Sequence, residues 1–126
     1  MSVRTPEEMH TAFTAAFNAR DLDALIELYE DGAVITPQPG VIVTGLPGIR
    51  EALGGFLELN GPIAMTTKTI IPAGDLVLLH AEWTVDGKGP DGTPIVLSAR
   101  SSEVIRRQAD GTWRYIIDNP YSVDAA

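Results

Sequence analysis

Apolar positions in the first part of the chain recur every three or four residues. Met9, Ala12, Phe13, Ala16 and Phe17 form one stripe, the spacing of an α-helix buried along one side. Ahead of them, Thr5-Pro6-Glu7-Glu8 carries the start signals: a hydroxyl for a free amide, a proline suited to the first helical position, and Glu8 to close a capping box. Asn18-Ala19-Arg20 ends this helix. Asp21 caps a second one, whose buried face is Leu22, Leu25, Ile26 and Tyr29, and Asp31-Gly32 stops it. After a short apolar piece, Ala33 to Thr36, a "PQPG" turn and Val41-Ile42-Val43, a third helix is predicted from about Leu46 to Leu59. Its inner face is Ile49, Leu53, Phe56 and Leu57. Gly54-Gly55 in its middle costs about 1 kcal/mol per glycine against alanine, so the helix bends or ends there, or packs closely on a sheet.

From Pro62 onward the period changes to two. Four long strands are predicted: Ile63 to Ile71, Leu76 to Val85, Ile95 to Arg107, and Trp113 to about Tyr121. The turns "PAGD", "DGKGPDG" and "QADG" separate them, as in an antiparallel meander. Helices first and long strands afterwards define an α+β domain, three N-terminal helices packed on one face of a strongly curved, mainly antiparallel sheet.

Composition narrows the picture further. The 126 residues suit one domain, 1–126, with a single core. Cysteine is absent, so disulfides and thiolate metal sites are excluded, and a reducing cytoplasm is the expected setting. Only His10 and His80 are histidines, in no metal-ligand spacing, so no metal or other cofactor is expected. A net charge of −8 argues against nucleic acid and anionic membrane as partners, because phosphate binding needs a basic surface. No stretch approaches the roughly 18 apolar residues of a membrane span.

The runs "TPEEMHTAFTAAFNARDLDALIELYEDGAVI", "GLPGIREAL" and "EVIRRQADGTWRYIIDNP", taken together over nearly the whole chain, resemble the nuclear-transport-factor-two-like superfamily. Within it the chain is similar to the SnoaL-like and ketosteroid-isomerase-like branch and to its YybH-type subgroup. The resemblance implies a cone: a bent sheet around an internal cavity, helices at its mouth, and a homodimer formed through the outer sheet face. It implies a small hydrophobic molecule as ligand. It also places Phe13, Thr36 and Ser102 where a steroid isomerase has its tyrosine, its aspartate base and its second acid. None of the three supplies the same chemistry, so steroid isomerisation is not expected.

The same resemblance supplies a register for the remaining side chains. It points Trp83 inward with Ala81 and Val85, and Ser98, Arg100, Ser102 and Val104 inward on the next strand, since residues two apart share a face. Arg100 inside needs a carboxylate or an anionic ligand; the other reading has it at an interface or in solvent. Asp118 and Asn119 are neighbours and face opposite sides of a regular strand. Alignment through "QADG" turns Asp118 inward, counting from Trp113 turns Asn119 inward, and Pro120 or a bulge would bring both near the cavity mouth. Asp118 and Arg100 are thus the candidate catalytic pair, with Phe13, Phe17, Tyr29, Trp83, Ser102 and Asn119 as candidate ligand contacts. His80, Glu82 and Glu103 read as outer-face groups, and His10 as a solvated one. Two functions follow: a cofactor-free isomerase, cyclase or hydrolase working by proton transfer, or a non-catalytic carrier or association module.

Overall fold

The computed structural model describes residues 2–122. A 3-10 turn at Pro6–Glu8 runs into α1 (Met9–Asn18), then α2 (Leu22–Ile26), β1 (Tyr29–Gln38), β2 (Val41–Thr44) and α3 (Leu46–Leu57). The four long strands follow as β3 (Ile63–Ala73), β4 (Leu76–Lys88), β5 (Pro94–Arg107) and β6 (Trp113–Asn119). They form one sheet in the order β2-β1-β6-β5-β4-β3. β1 and β6 run parallel, and the other pairs antiparallel. The α+β architecture, the three helices and the meander are as the pattern predicts.

Three local details differ from the sequence expectation. The capping box does not close on the backbone. Instead the Thr5 hydroxyl donates to the Glu8 carboxylate at 2.9 Å, and a 3-10 turn precedes α1. The second helix is a single turn, held by Asp21 accepting from the Ala24 amide at 3.0 Å. Tyr29 therefore leaves the helix and opens β1 beside Tyr115, with ring centroids 4.9 Å apart. In the sheet its aromatic body is fully enclosed, which one short helical turn cannot provide. Finally, α3 runs through Gly54-Gly55 without ending, and a Cβ built on either would meet nothing within 4 Å. Close packing is not why these glycines are there.

The helices close the concave side of the sheet. α1 offers Met9, Phe13 and Phe17, α3 offers Ile49, Leu53 and Leu57, and β4 offers Val77, Leu79, Ala81, Trp83 and Val85. Each large side chain fully enclosed here contributes about 1.5–3 kcal/mol. Asn18, the last residue of α1, clamps helix to sheet: its amide donates to the Ile63 carbonyl at 3.1 Å and its carbonyl accepts from the Ile63 amide at 2.8 Å. Among the described residues no helix is long and apolar enough to cross a membrane.

Two adjacent rows cross the sheet and present opposite faces. Ile35, Asp118, Glu103, Leu79 and Ile70 are successive cross-strand partners on the inner face. One residue over, Val34, Ile117, Val104, Leu78 and Ile71 form the corresponding outer row. The inner row carries two acids among aliphatics; the outer row is wholly aliphatic.

Candidate functional site

The inner acids reach that position through a bulge. Tyr115 pairs with Ile105 and Ile117 with Val104, so Ile116 is an extra residue on β6. An unmatched residue reverses the alternation beyond it. Trp113 and Tyr115 are buried, Ile117 is exposed, and Asp118 is buried again at 6% exposure. Asp118 therefore faces inward, and the count from Trp113 fails at Ile116. Asn119 lies beyond, half-buried, accepting from the Thr36 hydroxyl at 2.5 Å.

On β5 the expected phase is reversed. Ala99, Ser101, Glu103 and Ile105 are the buried residues, whereas Arg100 is exposed and Ser102 half-buried beside His80 and Asn119. The reason is legible in the strand: one face reads Ala-Ser-Glu, the other Arg-Ser-Val, and hydrophobicity does not separate them. Arg100 sits opposite Glu82 on the outer face, so it is not the partner of Asp118. That partner is Glu103, directly across from Asp118 and only 2% exposed.

Glu103 is anchored from behind by a histidine that the sequence reading left in solvent. His10, on α1, is 3% exposed; its Nε2 lies 2.8 Å from Glu103 Oε1 and its Nδ1 2.7 Å from Thr67 Oγ1 on β3. With the proton on Nε2, the ring donates to the carboxylate and accepts from the threonine hydroxyl; a second proton converts the contact into a buried ion pair. A signal was available, since His10, Phe13 and Phe17 follow helical spacing and put the imidazole on the flank of the apolar stripe.

Asp118 has a partner of its own. The Tyr29 hydroxyl donates to Asp118 Oδ2 at 2.5 Å, deep in the core. Burial, then the charge of Asp118, pushes the Tyr29 phenol well above its ordinary value, so it remains a donor. Asp118 itself is pushed from 3.8 up to about 7, first by burial and then by the charge of Glu103; the Tyr29 hydrogen bond and His10 act in the opposite direction. Among the described residues every buried side-chain nitrogen and oxygen has a hydrogen-bond partner. The network Thr67–His10–Glu103 and the pair Asp118–Tyr29 thus converge on one spot from α1, β1, β3, β5 and β6.

That spot is the floor of a chamber of about 40 Å³. Its walls include Phe13, Phe17, Leu53, Met65 and Trp83, with Ser101, Glu103 and Asp118 as the polar fittings. Phe13, Phe17 and Trp83 are therefore placed as expected, while Tyr29 stands behind Asp118 and not on the wall. Three aromatics gather at the mouth: Phe56 meets Trp83 edge-on at 6.2 Å and stacks on Tyr121 at 6.5 Å. The Trp83 indole N–H donates to the Pro120 carbonyl at 2.8 Å, which secures the chain just past Asn119. The interior is far more tightly filled than an open cone, because side chains from α1 and α3 occupy it. Among the described residues no group of three or more acidic or histidine side chains gathers that could hold a metal ion.

A carboxyl that titrates near neutrality beside a second, anchored carboxyl is equipped to give and take protons in an apolar enclosure. The fold and this floor define a cone-shaped α+β domain with a small acidic interior. The chain belongs to the SnoaL-like domain family, whose model matches residues 10–116. No curated protein matches it. Among solved structures it is similar to a protein from Thiobacillus denitrificans provisionally named a calcium/calmodulin-dependent protein kinase type II association domain. That pair shares 23% identity over 95% of this chain and 98% of the other, with a TM-score of 0.75. A ketosteroid isomerase-like protein from Erwinia carotovora is 22% identical over 90% and 89% of the two chains, TM-score 0.71. A protein from Streptomyces avermitilis provisionally named a dehydratase of the nuclear-transport-factor-two-like family is 16% identical over 90% of each chain, TM-score 0.72. At these identities the likeness establishes the fold alone.

Proposed function

We propose that the chain binds a small hydrophobic metabolite in the chamber and, without a cofactor, moves a proton at Asp118, as an isomerase, cyclase or hydrolase does. One observation carries this reading: Asp118 and Glu103 face each other at the chamber floor, each fixed by its own partner, Tyr29 or His10. Asp118 is the proton carrier and Glu103 the group that tunes it; Phe13, Phe17 and Trp83 shape the apolar space. The names of the Streptomyces and Erwinia structures support an enzymatic use of this fold. The test has two parts. A thermal-shift scan of neutral metabolites identifies a ligand by the stability it adds. Asp118→Asn then lowers turnover of that ligand by about 10²–10⁴-fold, the usual contribution of a positioned acid or base. Unaltered turnover rejects the role.

The second reading, a ligand carrier or association module, is favoured by the small volume of the chamber and by the Thiobacillus neighbour's name. It gives an Asp118→Asn variant that binds as well as the parent. In either case we place a homodimer on the outer sheet face, where the aliphatic row Val34–Ile117–Val104–Leu78–Ile71 leaves Ile117 43% and Ile71 51% exposed. The cysteine-free composition supports a cytoplasmic setting.

A further inference from the structure

The chamber is not alone on the α3 side of the fold. A groove of about 460 Å³ runs outside it, lined by Pro37, Val43, Gly55, Phe56, Leu59 and Leu97 among others, with Glu51 and Gln38 as polar members. One residue, Phe56, belongs to the linings of both spaces. Its ring is half-buried and stands between them, braced by Trp83 and Tyr121. A dry cavity of about 150 Å³ admits one benzene ring. At about 40 Å³ the chamber falls well short of that, so no ring enters while Phe56 stays where it is.

Phe56 can swing while the helix beneath it stays in place. Gly54 and Gly55 precede it, and beyond their chain neighbours and the helix's own backbone no atom lies within 4 Å of a Cβ placed on either, which leaves the groove side of α3 open at Gly55. The turn itself is pinned, since Leu53 and Leu57 are buried and the Arg20 guanidinium donates to the Leu57 carbonyl, so the ring moves on its own side-chain torsions and not with the helix. The chemistry of the joined space is also one-sided. Its walls are aliphatic and aromatic, its floor holds the Asp118 and Glu103 carboxyls and the Ser101 hydroxyl, and no arginine or lysine is among the described residues of either lining. A ligand carboxylate or phosphate at that floor meets two acids and no cation.

Building on the small-molecule reading above, we infer that Phe56 is a gate between groove and chamber. Its displacement joins them into one site for an uncharged, flat, ring-containing alcohol or phenol. The hydroxyl docks on Asp118 and Glu103, and the rings occupy the space Phe56 vacates and the groove beyond. Anionic analogues of the same shape are rejected.

The test uses 2-naphthol and 2-naphthoate as non-reacting probes, followed by probe fluorescence and calorimetry on the full chain. Removing the closed state in Phe56→Ala tightens the apparent 2-naphthol affinity and raises its association rate, each by about tenfold. Phe56→Trp, a larger plug, slows association by about tenfold, and Gly55→Leu, which fills the groove without touching the chamber, slows it similarly. 2-Naphthoate binds the parent at least about tenfold more weakly than 2-naphthol. Equal rates in the parent, Phe56→Ala, Phe56→Trp and Gly55→Leu overturn the gate, and equal binding of naphthoate overturns the ligand class. Because neither probe reacts, these outcomes are independent of Asp118→Asn turnover. Intact Phe56 dependence with unchanged turnover in that variant rejects the acid–base reading alone.

Discussion

Glu103 and Asp118 stand opposite each other on β5 and β6, on the same inner face and both almost wholly enclosed. Like charges in directly opposed sheet positions repel, and burial disfavours the charged form of each. The pair persists because each acid has a hydrogen-bond donor of its own and because Asp118 takes up a proton readily. Its titration near neutrality is thus a product of strand register, and it has thermodynamic consequences.

Asp118 makes stability fall with rising pH. Its carboxyl titrates at about 7 in the native protein against 3.8 ordinarily, so between these values the folded chain binds more protons than the unfolded one. The stabilising contribution is complete below pH 4 and lost as pH rises through 7. At 1.36 kcal/mol per pH unit it totals on the order of 4 kcal/mol. Urea melts of the parent between pH 4 and pH 8 should show this slope, and Asp118→Asn should flatten it; parallel profiles would contradict the assignment.

Removing His10 leaves a buried carboxylate without its donor. His10→Leu should therefore cost about 3–5 kcal/mol. The double variant His10→Leu/Glu103→Leu removes both polar groups and should recover most of that loss. Chemical denaturation of the two single variants and the double variant gives the coupling; additive losses would show that the contact is energetically idle.

The glycines of α3 and of the β4 end should respond in opposite directions. Gly54→Ala and Gly55→Ala have open space and should stabilise by about 0.5–1 kcal/mol each. A Cβ at Gly61 would lie 2.0 Å from the Asp86 carbonyl oxygen, and one at Gly87 2.4 Å from the Leu59 carbonyl oxygen. There the α3–β3 connection crosses β4 backbone against backbone, so alanine at either position should cost about 1–3 kcal/mol. Thermal midpoints measured side by side check all four.

The outer aliphatic row should hold two copies together. Ile117→Glu places a charge at its centre and should convert a dimer into monomers in sedimentation velocity, with the far-UV spectrum unchanged. A parent protein that sediments as a monomer at micromolar concentration would remove the dimer.

Much of this molecule was readable along the chain, and the illegible parts share one cause. Helical stripes and the long alternating strands announced the α+β layout, and on β4 the bulky Val77, Leu79, Trp83 and Val85 made the inner face plain. On β5 the inner residues Ala99, Ser101 and Glu103 are small or polar, so alternation carried no hydrophobic contrast and Arg100 and Ser102 were turned the wrong way. On β6 the register depends on an unmatched Ile116, which composition does not mark. His10 looked solvated because its reason for burial, Glu103, is 93 residues away. Periodicity reports which face is greasy; it is silent where a buried face is deliberately wet.

The supernumerary isoleucine of β6 therefore acts as a selector. Were Ile116 to pair with Val104, every later side chain of the strand would slip one place, presenting an amide to the interior and an acid to the exterior without altering the sheet's connectivity. Which reagent lines the interior is thus decided by a pairing slip of one place, with no change in the strand's composition.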